Sequence, residues 1–592
     1  TNGAPGTWFG RAVYARAQFA AHTIRFDDCE FVGNNAGTGM GGAVYAEDTR
    51  IEFLKCRVEL CGGGQAGACV ALRTDFTMHG CTLVNNSTGA TGGNAWLEDG
   101  TTRLFDCTVD DGFSSYCGAG FAVTGGSLWV TGSRFSGNSS TCGGALFLSA
   151  VSTTIDGSEF AGNLSADFES GGAILQIDGQ LDVNGCLFQG NVGGQGGAIA
   201  AFSTQTQNGL PDPNVWTHLQ DSECIDNRAE AMKHVHEARG GAIYASTLVE
   251  VSGCDFEHNR VEWLEGPVPG TGAFGGALYL IEPASIAHSS FVGNGARADS
   301  AASGGAIHAQ GPVDLERCIL FSNRVEQALN ADGGALFGEI HALHCTLRGN
   351  SCASGGNSVA QAGSLTHCIV WENPAPRLDL AVTAQFSLVE GGAAGAGNVD
   401  ADPLFWGSDD HHLMPDSPAI DAGDPNLAGD GDGTLADLGA LPFDPEHCGP
   451  GCTGWLGSNS CLAFPNSTGG ISTLIGLGSD LAQENLLILH AAHLPAGMPG
   501  YFLASQGTTY VPGFGGSSGV LCVGPPMLLR FHAEVRWSGP SGQITQRLDL
   551  SNFPQDRVVF PGDTWYFQLW HRDYSGVDPT SNTTPALRVD FR

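Results

Sequence analysis

The side chains best suited to binding chemistry lie in one acidic segment, DPNLAGDGDGTLAD, which ends at Asp437. Five oxygen-bearing residues alternate there with glycines and apolar residues: Asp424, Asn426, Asp430, Asp432 and Asp437. Hard oxygen ligands on a flexible loop suit Ca²⁺, which takes roughly six to eight of them. The spacing is not that of an EF-hand, because no glutamate closes the loop. We expect a calcium site here, and the alternative is a solvated acidic turn.

Two other groups of side chains resemble catalytic or metal sites. SDDHH (408–412) sets two carboxylates beside two histidines, but it lies in a turn-rich stretch where polar residues commonly fill turns. His234 and His236 flank one residue and could ligate Zn²⁺ from one side of a strand, with an ordinary polar loop as the alternative. We find neither the clustered carboxylates of a polygalacturonase-like site nor a Gly-x-Ser-x-Gly elbow. The sequence therefore favours a protein without enzyme activity and assigns no catalytic residue.

The composition excludes several classes of partner. Lys and Arg number 25 against 61 Asp and Glu, which gives a formal net charge of −36. Such a surface repels nucleic acid and anionic lipid, because phosphate binding needs clustered basic residues. No run of about 20 apolar residues occurs, so we expect no membrane span. The chain begins with Thr1 and shows no signal segment, which suggests a processed or trimmed start.

One pattern recurs along the first two thirds of the chain. FVGNNAGTGMGGAVYAED (31–48) returns as FSGNSSTCGGALFLS, FAGNLSADFESGGAILQ and FVGNGARADSAASGGAIHA. Most repeats are 23 to 30 residues long and hold about three short alternating strands. A period of this length is typical of a solenoid, and one turn of a parallel β-helix fits it. We predict an all-β chain with about 13 such turns.

Three columns define the repeat. The first column holds cysteine or serine: Cys29, Cys56, Cys81, Cys107, Ser133, Ser158, Cys186, Cys224, Cys254, Ser289, Cys318, Cys345 and Cys368. In most repeats asparagine follows five residues later: Asn34, Asn86, Asn138, Asn163, Asn191, Asn259, Asn294, Asn323, Asn350 and Asn373. A glycine pair comes next, from Gly41-Gly42 to Gly355-Gly356.

Each column predicts a local role. We expect the asparagines to stand at sharp corners in the left-handed backbone region and to bond the asparagines of neighbouring turns. The glycine pairs allow a turn where the interior is tight. The first column is interpreted as buried free thiols, because serine replaces cysteine in three turns. A disulfide framework or metal ladder is the alternative, although one thiol per turn cannot surround a metal tetrahedrally.

Cysteines outside the column are candidates for disulfides. Cys117 and Cys142 each directly precede the glycine turn of adjacent repeats, so they are expected to be neighbours and a disulfide is plausible. Cys61 and Cys69 form a weaker second candidate pair.

Insertions cluster in the middle repeats. The links after Asn227 and Asn259 are long, and the segment 202–220 bulges at another corner. Insertions on successive turns of a solenoid project side by side, so they predict a lobe. Trp216 and Trp263 lie in these segments, and exposed tryptophan favours interfaces. We expect this lobe to contact a partner, with an ordinary polar loop region as the alternative.

By these repeats, residues 10 to 400 resemble right-handed parallel β-helix proteins, including the polymorphic outer-membrane-protein and autotransporter-like surface families. The next stretch, with SPAIDAGDP and DGDGTLADLGA, is similar to the capping tail of bacterial secreted β-helix proteins. The resemblance implies architecture and not a particular activity.

The sequence pattern changes in the last part of the chain. Long strands such as NLLILHAAHL and TWYFQLWHRD are separated by turn residues, which predicts an antiparallel β-sandwich. SCLAFPNSTGG, VLCVGPP and TSNTTPALRVDF resemble a C-terminal domain common in exported planctomycete proteins. That resemblance implies a disulfide between Cys461 and Cys522. Cys448 and Cys452, in the link EHCGPGCTGW, are further disulfide candidates.

Together these features predict three regions: a β-helix over 1–400, an acidic capping tail over 401–447 and a β-sandwich over 448–592. We expect a secreted protein, extracellular or at the cell surface, that acts as a structural or adhesive rod. A polysaccharide-active enzyme, a lyase or glycosidase, or a carbohydrate-binding protein on the same scaffold is the alternative. Surface polysaccharide is a candidate partner.

The N-terminal end of the predicted β-helix suggests self-association. The stretch TNGAPGTWFGRAVYARAQF enters the first turn almost at once, and no cap helix precedes it. Open strand edges invite further pairing, and Trp8 and Phe9 are candidate anchors. A second copy covering this edge predicts a head-to-tail homopolymer, with a trimmed monomer as the alternative.

Overall fold

A computed structural model gives the positions of most of the chain. It describes residues 12–16, 23–167, 169–204, 206–207, 210–230, 237–263, 271–407, 409–414, 417–427, 429, 434–444, 456–532, 534–538, 542–555, 557–575 and 578–592. Over these residues the chain is all-β apart from three short 3₁₀ segments: Ala353–Gly355, Ala482–Glu484 and Phe514–Gly516. A parallel β-helix of about 12 turns spans residues 13–371, and antiparallel sheets follow it. The predicted fold class is confirmed.

The chain divides into two compact units. The first comprises residues 1–401, 422–428 and 438–440, and the second comprises 402–421, 429–437 and 441–592. The predicted capping tail is therefore shared between the units. No helix among the described residues has the length and apolar character needed to cross a membrane.

Outside the lobe described below, each turn of the β-helix holds up to four strands, which we name series A to D. Series A and B share one sheet, and series C and D form a second and a third. Series A comprises Val13–Arg16, Val44–Glu47, Cys69–Leu72, Ala95–Glu98, Phe121–Thr124, Ile199–Phe202, Ile243–Ala245, Leu278–Leu280 and Ile307–Ala309. Series B comprises Thr23–Asp27, Arg50–Leu54, Asp75–His79, Thr101–Phe105, Ser127–Thr131, Trp216–Gln220, Leu248–Ser252, Ala284–Ala287, Val313–Glu316 and Val382–Gln385. In four turns A and B run on as one strand: Leu146–Asp156, Ile174–Asn184, Leu336–Leu343 and Ala360–Thr366.

The two other series are shorter. Series C comprises Glu30–Val32, Arg57–Glu59, Thr82–Val84, Thr108–Asp110, Arg134–Ser136, Glu159–Ala161, Leu187–Gln189, Glu223–Ile225, Asp255–Glu257, Ser290–Val292, Ile319–Phe321, Thr346–Arg348, Ile369–Trp371 and Leu388–Val389. Series D comprises Gly62–Gly63, Ser87–Thr88, Phe113–Ser114, Ser139–Ser140, Leu164–Ser165, Val192–Gly193, Arg228–Glu230, Arg260–Trp263, Gly295–Ala298, Arg324–Glu326 and Ser351–Cys352. Four further strands form a separate parallel sheet, the lobe sheet: Glu237–Arg239, Gly272–Phe274, Ala301–Ser303 and Asn330–Asp332. A two-stranded hairpin joins Thr206–Gln207 to Leu210–Pro211.

The asparagine column forms a buried ladder. At Asn259 the backbone N–H and Nδ2 both donate to Oδ1 of Asn294, at 3.0 Å each, and Nδ2 also donates to the carbonyl of Cys224. The predicted bonding between turns is confirmed. The left-handed backbone belongs instead to the preceding residue, such as Gly137 at φ 62° or His258 at φ 53°. None of the ladder asparagines has a positive φ, and their buried side chains bond the neighbouring turns.

The glycine pairs stand where backbones of adjacent turns meet. A Cβ added at Gly144 would lie 2.2 Å from the carbonyl oxygen of Gly172, so only glycine fits there. One predicted pair is wrong: Gly334 donates its N–H to the carbonyl of Asn357, so Asn357 and Ser358 occupy the place assigned to Gly355-Gly356. The short 3₁₀ turn at 353–355 shifts the chain by two residues there.

One member of the cysteine column is also wrong. The backbone N–H of Cys186 donates to Oγ of Ser222 at 3.0 Å, so Ser222 holds the column position in that turn. Cys224 pairs in register with Phe188 and Phe256, and it interrupts a stack of phenylalanine rings. The other described members follow the prediction of buried free thiols, except that Cys29 in the first turn is only half-buried.

The described part of the second unit holds three antiparallel sheets, of which the two larger ones share one hydrophobic core, as a β-sandwich requires. The larger sheet comprises Ser458–Asn459, Pro499–Ser505, Leu529–Arg530, Arg536–Trp537, Thr564–Ser575, Asp578–Thr583 and Leu587–Asp590. The smaller sheet comprises Thr473–Gly478, Leu487–Ala492 and Ile544–Leu548, and Gly507–Pro512 pairs with Val520–Gly524. Leu489 of the smaller sheet and Phe567 of the larger belong to the same buried cluster.

Candidate functional site

The outward face of the series B strands carries a row of ionisable side chains in the middle turns. The strand register places Asp182 opposite His218, and His218 opposite Glu250. Alternation turns the residues next to them, including Leu219 and Val251, into the core. The three polar side chains therefore stand side by side on the surface, one turn apart.

The imidazole of His218 lies between two carboxylates. Its Nδ1 is 3.5 Å from Oδ1 of Asp182, and its Nε2 is 3.5 Å from Oε2 of Glu250. Trp216, two residues before His218 on the same strand, stacks on the imidazole with ring centres 3.9 Å apart. A neutral imidazole donates to only one of these carboxylates, whereas an imidazolium donates to both.

These residues line a shallow cavity of about 530 Å³, which we call the His218 groove. Among the described residues its lining contains carboxylates, amides, hydroxyls and one imidazole but neither lysine nor arginine: Thr154, Asp156, Asp182, Val183, Asn184, His218, Leu219, Gln220, Glu250, Val251, Ser252, Ser285 and Ala287. Two parallel outward rows supply the polar groups, because the strands of adjacent turns pair in register. The groove thus offers many hydrogen-bonding groups and a net negative charge.

The geometry suits binding better than bond cleavage. In a glycosidase the two carboxylates flank the scissile bond, with a gap for substrate or water between them. Here the His218 ring occupies the space between Asp182 and Glu250. Sugar hydroxyls are recognised by such carboxylate, amide and hydroxyl groups, with an aromatic ring nearby as an apolar surface.

Sequence reasoning identified Trp216 but missed the acidic residues around it. Trp216 is half-buried and stacks on His218, which lines the groove. The available signal was the outward position of three successive series B strands, LDVN, WTHLQ and LVEVS. Asp182 and His218 are 36 residues apart, and His218 and Glu250 are 32 apart. Because these turns differ in length, no fixed period in the sequence indicates the row.

The prediction that Trp263 is an exposed tryptophan is wrong. Its side chain is only 4% exposed and lies in a small second core with Ala238, Ala273 and Val261. The lobe exists as the lobe sheet, which packs its apolar side chains against the series D strands. Alanines of the lobe strands pack against Trp263 and bury it. The sequence pattern did not predict this burial. Trp8 and Phe9 lie outside the described residues.

The lobe sheet also covers part of the series A face. Arg239 places its guanidinium 5.2 Å from the ring centre of Tyr279 and forms an ion pair with Glu237. His308 stacks on Tyr279 at 4.8 Å, and its Nδ1 lies 2.8 Å from Oγ of Ser303. Burial, with a smaller contribution from the Arg239 charge, lowers the pKa of His308 to about 3. This histidine is therefore neutral over the physiological range.

A second surface cavity of about 510 Å³ lies at the last lobe strand. Its walls are mostly apolar: Phe274, Ala301, Ala302, Ser303, Leu329, Asn330, Ala331, Asp332, Phe337, Gly355 and Gly356. Leu329 there is 70% exposed. The cavity offers few convergent polar groups, so it gives less basis for a ligand than the His218 groove.

A Ser-His-Asp set in the second unit resembles a hydrolase triad but lacks its geometry. Oγ of Ser472 is 3.4 Å from Nε2 of His571, whereas Nδ1 of His571 donates to the carbonyl of Arg572 and not to Asp573. Ser472, His571 and Asp573 are all buried. Burial lowers the pKa of His571. All three side chains lie in the interior of the sandwich, shielded from solvent.

The described part of the acidic segment makes local hydrogen bonds. Oδ1 of Asp424 accepts from both the backbone N–H and Nδ2 of Asn426, at 2.9 Å each. The carboxylate of Asp437 accepts from the N–H groups of Asp421 and Phe443. Asp430 and Asp432 lie outside the described residues, and among the described ones no group of three or more His, Cys, Asp or Glu is arranged to hold a metal ion. The calcium site stays a prediction.

The SDDHH segment forms a local turn in its described part. Oδ1 of Asp410 lies 2.8 Å from Nδ1 of His412 and also accepts the backbone N–H of His412. The neighbouring His411 is buried, against Phe405. His234 and His236 lie outside the described residues.

Two of the candidate disulfides are present. Cys117 bonds Cys142 on the adjacent turn, with their Cα atoms 4.5 Å apart, and Cys461 bonds Cys522. Cys61 and Cys69 are free and buried. Cys448 and Cys452 lie outside the described residues.

Scanning the chain against protein-family models and searching the curated proteins gave no match.

Proposed function

We propose that this chain is a secreted adhesive protein that binds polysaccharide through the His218 groove on the outward face of its β-helix. The carrying observation is the groove itself, in which three carboxylates, two amides and several hydroxyls converge beside the stacked pair of Trp216 and His218. Ligand sites usually combine apolar or aromatic surface with a few oriented polar groups. A polysaccharide chain presents both hydroxyls and apolar ring faces.

Charge narrows the class of polysaccharide. Asp156, Asp182 and Glu250 face the groove, and among the described residues of its lining His218 is the one basic side chain beside them. An anionic polymer would bring its carboxylates or sulfates against these groups in a protein whose formal net charge is −36. Neutral or amino-bearing polysaccharides fit the groove.

The scaffold supports an adhesive role. The series C strands stack in parallel, and about 12 turns at roughly 4.8 Å each extend the β-helix by about 60 Å along its axis. One continuous hydrophobic cluster runs through these turns. A rigid stack of this kind presents a fixed row of outward side chains to a long polymer. Two disulfides favour an oxidising location outside the cell.

Affinity electrophoresis tests the proposal with soluble neutral, amino-bearing and anionic polysaccharides in the gel. We expect a neutral or amino-bearing polymer to retard the protein, and the double variant Asp182→Asn/Glu250→Gln to weaken binding at least about tenfold. Trp216→Ala is expected to act in the same direction. Asp314→Asn is the matched control, because Asp314 lies on a series B strand but outside the groove lining.

Two results would contradict this function. One is the absence of retardation by every polymer tested, and the other is unchanged binding by the groove variants. The alternative of a polysaccharide-active enzyme is tested on the same polymers by assaying reducing ends and unsaturated products. Product release that Asp182→Asn or Glu250→Gln abolishes would favour a glycosidase or lyase.

A further inference from the structure

The His218 groove is elongated along the axis of the β-helix. Five successive turns contribute two residues each to its lining, and the strand register aligns them in two rows. The first row is Thr154, Asp182, His218, Glu250 and Ser285, and the second is Asp156, Asn184, Gln220, Ser252 and Ala287. Turns spaced by roughly 4.8 Å give rows about 19 Å long, whereas the rows are only about 7 Å apart, because they stand two residues apart on each strand. A long polymer therefore fits the groove best when it crosses the strands.

Trp129 continues the first row on the turn before the groove. The register pairs it with Thr154, the first residue of that row. Its side chain is 38% exposed, more than that of any other described tryptophan in the first unit. An indole this open in a row of polar side chains is an apolar surface suited to a ligand. Trp129 is therefore a candidate contact that adjoins the groove.

The guanidinium of Arg103 contacts the indole from the side away from the groove. Arg103 precedes Trp129 in the row, and its Cζ lies 5.2 Å from the centre of the indole ring. On the groove side the next side chain of the row is the short one of Thr154. A cation over an aromatic face is attracted to it, so Arg103 positions the ring and leaves its groove side to a sugar.

The two tryptophans near the groove distinguish two directions for a bound chain. Trp216 stands beside His218 on the same strand, so a polymer that followed the strands would contact Trp216 and cross the groove over its width. Trp129 lies three turns before His218, about 14 Å along the axis. A polymer that follows the axis contacts both His218 and Trp129. Because the rows are straight, they favour an extended, linear chain over a coiled one.

We propose that a linear neutral or amino-bearing polysaccharide lies along the axis of the β-helix in the His218 groove and stacks one of its sugar rings on Trp129. The inference rests on the proposed function and adds the direction of the chain, a further binding residue and a selection for extended polymers. The polar groups of the two rows bind hydroxyl or amino groups, and Trp129 supplies an apolar surface for a ring face. Binding extends over several turns, so affinity should increase with chain length.

Isothermal titration calorimetry with trimers and octamers of cello-oligosaccharide and of chitosan oligosaccharide tests the direction. We expect the octamer of at least one series to bind the wild type at least about tenfold more tightly than its trimer. Trp129→Ala should remove most of this gain and leave trimer binding unchanged, whereas Trp129→Phe, which keeps an aromatic ring, should retain much of it. Phe113→Ala is the matched control, because Phe113 is 50% exposed but lies on a series D strand.

The groove variant Asp182→Asn/Glu250→Gln separates this inference from the proposed function. It should weaken the binding of trimers and octamers alike. Octamer binding that this variant weakens but Trp129→Ala does not would overturn the axial direction and leave the proposed function standing. Equal weakening of trimers and octamers by Trp129→Ala would also overturn it, because a contact outside the groove affects only long chains. If neither octamer binds, the inference fails, and affinity electrophoresis decides whether the proposed function fails with it.

Discussion

The backbone N–H of Asp424 donates a hydrogen bond to Nε2 of His367 at 2.8 Å. Nδ1 of the same imidazole lies 3.1 Å from Nε2 of His344 on the preceding turn. Because Nε2 of His367 accepts, its proton resides on Nδ1 and points toward His344. Asp424, at the start of the acidic segment, is thus attached to the last turns of the β-helix through a neutral, fully buried histidine.

The buried His367 predicts that the protein becomes less stable to unfolding at acidic pH. Burial lowers the pKa of His367, with the Asp424 charge opposing the shift. Below about pH 6.5 His367 is protonated in the unfolded chain but stays neutral in the folded chain until a lower pH. The free energy of unfolding is therefore highest above that pH and falls as the pH drops. We expect the loss to approach, but not exceed, about 1.4 kcal/mol per pH unit.

Urea unfolding at pH 7.5, 6.5 and 5.5 measures this loss against the variant His367→Asn. Asparagine tolerates the left-handed φ of 54° at this position but does not titrate. Other buried histidines, including His308, shift stability in the same direction, so the difference between the two proteins isolates His367. Equal pH dependence in both would show that His367 does not control it.

Calcium is predicted to stabilise the protein through the acidic segment. Free Ca²⁺ at about 100 times its dissociation constant adds about 2.7 kcal/mol to the folded state. Thermal melting in excess EDTA and in added Ca²⁺ is the measurement, and the double variant Asp430→Asn/Asp432→Asn should lose the difference. An identical melting temperature in EDTA and Ca²⁺ would leave the segment as an ordinary acidic turn.

Asn259→Ala is expected to be strongly destabilising. The change leaves the N–H and Nδ2 groups of Asn227 and the carbonyl of Cys224 without the partner they have in the ladder. Each buried group that loses its partner costs about 1–3 kcal/mol, so we expect a total loss of about 3 kcal/mol or more. The midpoint of urea unfolding measures it.

Asn184→Ala serves as the control, because Asn184 is exposed on the outward face and its nearest polar contact is a long 3.5 Å one. Its effect should stay within about 0.5 kcal/mol. If the two alanine variants unfolded at the same urea concentration, the ladder would contribute nothing measurable.

Substitution by serine should change the free energy of unfolding differently at Cys186 and at Cys224. Sγ of Cys186 already lies near the carbonyls of Ile155 and Asn184, at 3.5 and 3.3 Å, and other turns place serine in this column. Cys186→Ser is therefore expected within about 1 kcal/mol of the wild type. Cys224 lies between Phe188 and Phe256, where a hydroxyl has an apolar environment, so Cys224→Ser should cost about 1–3 kcal/mol.

Urea unfolding of the two variants decides between these sites. Cys186→Arg extends the test, because an unpaired charge in the core should unfold the adjacent turns. A tolerated arginine at position 186, or a serine more harmful there than at 224, would show that the column is not the polar slot that the geometry describes.

Much of the fold could be predicted from the sequence because each β-helix turn contacts mainly its neighbours. Asn163 meets Asn191 and Phe160 meets Phe188 simply because the repeat has one register. The paired positions of Cys117 and Cys142 follow from the same register. Patterns of this kind are local, so the columns alone specify the stacking and the inward face.

Some features were decided only by the tertiary structure, because the turns differ in length. Insertions shifted the phase between columns, so Ser222 rather than Cys224 and Asn357 rather than Gly355 fill the repeated positions. The lobe sheet buried Trp263, because apolar side chains from several turns had to meet around it. The row of Asp182, His218 and Glu250 exists only once the turns stack, since their separation in the chain follows no fixed period. The sequence by itself determined a stack of turns, and the packing of its irregular insertions decided which side chains reach the surface together.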